Sequence, residues 1–151
     1  MAGAFHDVHL EIHSGIEGLE LVQVVAEHIA RRLGLDEETQ HWTAMAVRET
    51  VVNAITHGNH SDPHKIVYID FGIDPPENPY DLVVRVRDQG NGFDPSVLRD
   101  PLTPENVLRS SGRGIFLIRQ FMDDVSIQRA REGGTEVRML KHIRPRVIHA
   151  E

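Results

Sequence analysis

The sequence runs to 151 residues, enough for one hydrophobic core and short for two. It is 40% hydrophobic and 26% charged, an ordinary globular makeup, and its net charge of −7 excludes a general nucleic-acid binder, which works through clustered Lys and Arg. No run approaches the roughly 18 apolar residues of a membrane span, the opening residues lack the basic and apolar regions of a signal peptide, and without Cys there is neither disulfide nor thiolate metal site. These features predict a cytoplasmic protein with no direct contact to membrane or nucleic acid. Of the sixteen basic residues only Lys65 and Lys141 are lysines, and neither follows a glycine. The Gly-Lys-Ser/Thr phosphate loop is therefore absent, which excludes the P-loop NTPases.

In chain order, Val8, Leu10 and Ile12 alternate with His9, Glu11 and His13 and predict a strand. Apolar residues then recur at helical spacing from Glu17 to Leu33, and Gly34 closes the run as a C-cap. Asp36, three residues before Thr39, starts a second helix predicted to reach His57 and to stop at Gly58. Residues 65–73 read as a strand, Pro75, Pro76, Asn78 and Pro79 as a turn, and residues 80–88 as the next strand. A Gly- and Pro-rich loop occupies 89–112, followed by an apolar helix over 113–123. Strands at 125–131 and 135–142 are joined by a hairpin turn at Glu132-Gly133-Gly134. The order β-α-α-β-β-loop-α-β-β predicts an α+β two-layer sandwich, a mixed, mostly antiparallel sheet with helices on one face. Residues 1–143 are expected to form this single domain and 144–151 a mobile tail.

Four features carry chemistry. On the second helix, about 100° per residue places Ala44, Val47, Val51 and Ala54 on one stripe. Glu49 and Asn53, at i and i+4, lie nearly opposite, beside Trp42, Ala46 and Thr56, either as a cleft wall or as surface residues. Asp88 shares parity with Tyr80, Leu82, Val84 and Val86, so it points to the inward side of the sheet, where a carboxylate needs donors. The glycines of Gln89-Gly90-Asn91-Gly92 allow the backbone to approach a ligand or simply to turn. Gly112-Arg113-Gly114 opens an apolar helix, a place for an anion or an ordinary loop-to-helix junction. Thr135 shares parity with Val137 and Met139 and also faces inward.

Order and spacing of these features resemble the Bergerat, or histidine-kinase-like, ATPase superfamily. Glu49, Asn53 and His57 match its Asn box, Asp88, Gly90 and Gly92 its Asp-x-Gly-x-Gly box, Gly112 and Gly114 its second glycine box, and Thr135 its late adenine-side Thr. The likeness spans roughly residues 8–141, and RETVVNAITHGN, VRDQGNGFDP and SGRGIFLIRQFMDDV are similar to the blocks of the bacterial anti-sigma-factor serine/threonine kinases. The short loop between Gly92 and Gly112 also fits that family. The resemblance implies ATP and Mg²⁺ as ligands, with Asp88 reading adenine, Thr135 and Gly92 assisting, and Asn53 holding Mg²⁺. Gly90, Gly112, Gly114 and Arg113 would complete the ATP site, and Glu49 would be the general base. As partners it implies a sigma factor and an anti-anti-sigma protein, and as assembly a homodimer. A nucleotide-binding regulator without catalysis, or the ATPase part of a split histidine kinase, are the alternatives. The segment 93–111 is expected to order over the phosphates.

Two coincidences lead elsewhere. Asp70-Phe71-Gly72 copies a tripeptide of eukaryotic-type protein kinases, but it lies in a strand with none of that fold's companion motifs. His57, His60 and His64 follow no helical metal-ligand spacing.

Overall fold

The computed structural model describes residues 7–74, 81–91 and 118–143. The predicted turn at 75–79, the start of the helix predicted from 113, most of the Gly/Pro-rich loop and the tail at 144–151 lie outside the described residues. Within them the chain forms β1 (Asp7–His13), α1 (Ile16–Arg32), α2 (Glu37–Asn53), β2 (Ile66–Asp74), β3 (Asp81–Arg87), β4 (Asp124–Arg129) and β5 (Thr135–His142). Residues 118–121 are helical and carry the end of the third predicted helix.

The strands form one sheet in the order β1-β2-β3-β5-β4. Every pairing among the described residues is antiparallel, going beyond the mixed, mostly antiparallel sheet that the sequence predicts. Alternation sets the register. Val67, Ile69 and Phe71 of β2, Leu82, Val84 and Val86 of β3, and Val137 and Met139 of β5 share one buried face. The helices cover that face through Leu19, Val22, Ala26 and Ile29 of α1, Val47 and Val51 of α2, and Ile118 and Met122. The other face is largely polar, with Val83 and its partner Leu140 as apolar exceptions. There the cross-strand partners His9 and Asp70 pair between β1 and β2, and His142 and Asp81 pair between β5 and β3 at 2.6 Å.

The helix ends follow their sequence signals. Gly34 has φ +83°, the Gly34 N–H donates to Arg31 O (3.0 Å) and the Leu35 N–H to Ala30 O (3.1 Å), a Schellman closure of α1. The Asp36 side chain accepts from the Thr39 N–H at 2.7 Å and caps α2.

α2 departs from expectation in two ways. Its predicted core stripe, Ala44, Val47, Val51 and Ala54, is buried, but so are Thr43, Ala46, Thr50 and Asn53. α2 is the central helix. Arg48 reaches Gln23 of α1 at 3.0 Å, Trp42 stacks on Phe121 with centroids 4.3 Å apart, and the Thr50 hydroxyl meets Met139 of β5. Within the arc holding Glu49 and Asn53, Ala46 and Asn53 are buried and Trp42 and Glu49 half-buried, while Thr56 is exposed. The second departure is at the end. In place of a regular helix to His57, Ala54–Gly58 widens into a π-helical turn, with the Asn59 N–H donating to Ala54 O at 2.8 Å. The wider turn carries Asn59 into the interior, where it is fully buried.

Phe71, 1% exposed in the middle of β2, fills the space between sheet and helices. Phe71→Ala is expected to lower stability by about 3–5 kcal/mol. Urea unfolding followed by circular dichroism measures this, and a midpoint unchanged from wild type would contradict the core assignment.

Candidate functional site

The site is built around a carboxylate at the end of β3. By the alternation of its strand Asp88 points inward, and it is 3% exposed. Its own N–H donates to Thr135 O at 3.1 Å, and the Thr135 N–H donates back to Asp88 Oδ1 at 3.1 Å. The Gly90 N–H donates to the same oxygen at 2.9 Å. Two backbone donors therefore hold Oδ1, and among the described residues the carboxylate has no ion-pair partner.

Space for this carboxylate comes from three glycines. A Cβ on Gly58 would overlap Oδ2, and one on Gly134 would meet Oδ1 at 2.9 Å and the Asp88 carbonyl carbon at 3.0 Å. One on Gly90 would overlap the Gly58 carbonyl. Gly134 also has φ +79°, which the hairpin between β4 and β5 requires. So the π-helical turn, the segment after β3 and the β4–β5 hairpin converge on one buried side chain.

Burial pushes the Asp88 carboxyl above the ordinary carboxylate range. The Gly90 and Thr135 N–H groups, and then the charges of Lys65 and His60, pull the other way without cancelling it. The proton is thus favoured in the folded state.

Asn53 closes α2 at the head of the same π-helical turn. It is 5% exposed, and its Nδ2 has no hydrogen-bond partner among the described residues. A buried amide without a partner is suited to an oxygen-rich ligand that completes it. Glu49, one helical turn earlier, is half-buried. The described residues contain no cluster of three or more His, Asp and Glu able to hold a metal ion by themselves. A cation here would take most of its oxygen ligands from a bound phosphate and water, the usual habit of Mg²⁺.

Of the residues predicted from sequence, Asp88, Gly90 and Thr135 are bonded together, and Asn53 and Glu49 lie on the helix that leads to Gly58. His57 lies within the π-helical turn. Gly92, Gly112, Arg113 and Gly114 are outside the described residues. Sequence reasoning read Gly58 only as a helix stop and Gly134 only as a hairpin glycine, and it gave Asn59 and Gln89 no role. Parity located Asp88, but which glycines clear room for it depends on three segments distant in sequence.

The profile of the histidine kinase-like ATPase domain matches residues 13–141. The chain belongs to that family. Within the histidine kinase-like ATPases it belongs with the anti-sigma-factor kinases: it is 32% identical over 142 residues to an anti-sigma F factor of Bacillus subtilis, covering 91% of this chain and 93% of the relative. An anti-sigma F factor of Oceanobacillus iheyensis is 39% identical over 111 residues, 72% of each chain. The fold is similar to the solved RsbU and RsbW domains of a Mycobacterium tuberculosis protein, with TM-score 0.60 and 17% identity over 92% of this chain. The present chain spans about a third, 33%, of that solved one. Among the described residues no helix is long and apolar enough to cross a membrane.

The raised Asp88 has a signed consequence. A carboxyl whose proton is favoured by folding stabilises the fold at low pH and loses that contribution as pH rises through its raised folded-state pKa. Once ionised, the buried group is a liability in the unliganded protein, and Asn retains an oxygen for Gly90 and Thr135. Asp88→Asn without ligand should melt at or above the wild-type temperature at pH 8, with the difference narrowing toward pH 4. Calorimetric melting across that range checks it, and a marked loss of Tm at pH 8 would contradict the account.

Proposed function

We propose that this protein binds ATP with Mg²⁺ and acts as a serine/threonine protein kinase and anti-sigma factor. It phosphorylates an anti-anti-sigma partner and sequesters a sigma factor, working in the cytoplasm as a homodimer. The observation that carries the reading is the buried Asp88 carboxylate, held by the N–H groups of Gly90 and Thr135 and cleared by glycines. A carboxylate fixed in this way is a rigid acceptor for an exocyclic amino group, and adenine presents one.

Asp88 would accept from that amino group, with Thr135 and Gly92 beside the ring. Asn53 would hold Mg²⁺ through its amide oxygen, and its Nδ2, a donor without a partner among the described residues, fits a phosphate oxygen there. The ion supplies charge compensation for the phosphate oxygens. Gly112, Arg113 and Gly114 would cradle the β- and γ-phosphates with backbone N–H groups and a guanidinium. Glu49, half-buried one turn before Asn53, would take the proton of the partner's hydroxyl. The hydroxyl oxygen bonds to the γ-phosphorus, the bond from that phosphorus to the β–γ bridging oxygen breaks, and ADP leaves. The names of the relatives support the partners: both aligned relatives are anti-sigma F factors.

Labelled ATP incubated with the protein and a candidate anti-anti-sigma protein tests the reading, and two variants separate the roles of two carboxylates. Asp88→Asn loses a charge-assisted hydrogen bond of about 1.5–3 kcal/mol, so ATP affinity should fall roughly ten- to a hundredfold. Glu49→Gln should bind ATP as wild type does while phosphoryl transfer falls by about 10² to 10⁴. Full transfer by Glu49→Gln would remove the general-base role. Nucleotide binding with no transfer to any candidate would leave a regulator that binds without catalysing.

A further inference from the structure

Asn59 is among the most deeply buried polar side chains described, at 0% exposure, and although it closes the segment RETVVNAITHGN the sequence assigns it no role in the site. It occupies a junction of segments far apart in sequence. Its Nδ2 donates to the Ile66 carbonyl at the start of β2 (3.1 Å) and to Ser14 Oγ after β1 (3.2 Å). Its Oδ1 accepts from the Gln89 N–H at 2.7 Å. The Ile66 carbonyl can only accept and the Gln89 N–H can only donate, so these partners fix the amide's orientation and require both of its halves.

The Gln89 N–H is the first one beyond the β3 ladder. Asp88 still bonds to Thr135 of β5, and the next residue has left the sheet. Asn59 Oδ1 takes that next N–H, which immobilises the peptide linking Asp88 to Gln89. The Gln89 side chain reinforces the anchor, its Oε1 accepting from the Ile66 N–H at 2.7 Å and its Nε2 donating to the Tyr68 hydroxyl at 3.0 Å. One residue further, the Gly90 N–H closes onto Asp88 Oδ1. The direction in which the carboxylate points is thereby set from both sides: by Thr135 across the sheet and by Asn59 beneath the turn. The π-helical turn Ala54–Gly58 places Asn59 there, and the same turn brings Gly58 against Oδ2.

We propose that Asn59 is a positioning residue for Asp88 and that, through the Gln89 peptide, it sets how strongly the site prefers adenine over other purine bases. This rests on the reading of Asp88 as the base-reading carboxylate. Asn59 is fully buried and its amide is engaged by Ser14, Ile66 and Gln89, so it acts through Asp88 and not on the base itself. Its effect is on where an acceptor stands, so it bears on discrimination between bases and not on the phosphate end.

The test is calorimetry of the full chain with Mg²⁺ and either ADP or GDP, comparing wild type, Asn59→Ala and Asn59→Asp. Wild type should prefer ADP, and no preference would overturn the reading of Asp88 together with the proposal. Asn59→Ala should lose about tenfold of the ADP-over-GDP ratio, equivalent to about 1.4 kcal/mol, with GDP affinity unchanged. Asn59→Asp keeps the oxygen for Gln89 and loses the donor to Ile66, so its Tm should fall while the ratio stays within about threefold of wild type. A merely structural role would lower Tm and the active fraction in both variants without moving the ratio. An unchanged ratio in Asn59→Ala, or an equal loss in both variants, overturns the proposal with the ATP reading intact. Should neither variant fold, hydrogen exchange on the wild type decides. The Gln89 amide should exchange as slowly as that of Thr135 and slow further with ADP. Exchange at the rate of an open loop overturns the proposal.

Discussion

A carboxylate removed from water needs donors and it needs room, and around Asp88 both come from the backbone. The donors are the N–H groups of Gly90 and Thr135. The room comes from Gly58, Gly90 and Gly134, none of which tolerates a Cβ without displacing the carboxylate or the chain against it. Because these groups lie on three separate segments, the placement of Asp88 is satisfied only when the end of α2, the end of β3 and the β4–β5 hairpin are all in place. The carboxyl is still pushed upward by burial, so its donors offset only part of the desolvation. Such a residual cost is typical of a group whose full complement arrives with a ligand.

The rest of the architecture supplies a rigid setting for that group. An antiparallel sheet with one apolar face fixes the register of β3 and β5, and therefore which residue of each ends the ladder inward. α2 is held on several sides, by α1, by residues 118–122 and by β5, so a polar arc can be buried on a helix that packing already immobilises. The π-helical turn then solves a geometric problem. The wider turn brings Gly58 against Asp88 and Asn59 against Gln89, both in the segment after β3. His60 and Ser61, with φ of 51° and 57°, complete the exit in a conformation that side chains rarely adopt, next to the candidate site.

Much of this was legible from the sequence because it depends on period and parity. Alternation placed Asp88 and Thr135 inward, helical spacing found α1 and α2, and Gly34 and Asp36 marked their ends. The burial of Asn53 and Thr50 on α2 was not legible, since it depends on packing such as Trp42 meeting Phe121 and Thr50 meeting Met139. Nor was the π-helical turn, because AITHG has no residue that forbids an ordinary turn. Gly58 and Gly134 carried visible local explanations, a helix stop and a hairpin, which concealed their shared role around Asp88. Although Asn59 ends the segment RETVVNAITHGN, its burial carried no signal, since an Asn after a helix end is expected on the surface.

The central claim is that Asp88 is an acceptor for the amino group of adenine, and it is tested most directly by removing that amino group alone. Calorimetry of the wild-type protein with Mg²⁺ and either ADP or the diphosphate of purine riboside, which has hydrogen at that position, isolates the contact. Losing a hydrogen bond to a charged acceptor corresponds to about 1.5–3 kcal/mol, so ADP should bind roughly ten- to a hundredfold more tightly. Equal affinity for the two nucleotides would contradict the account.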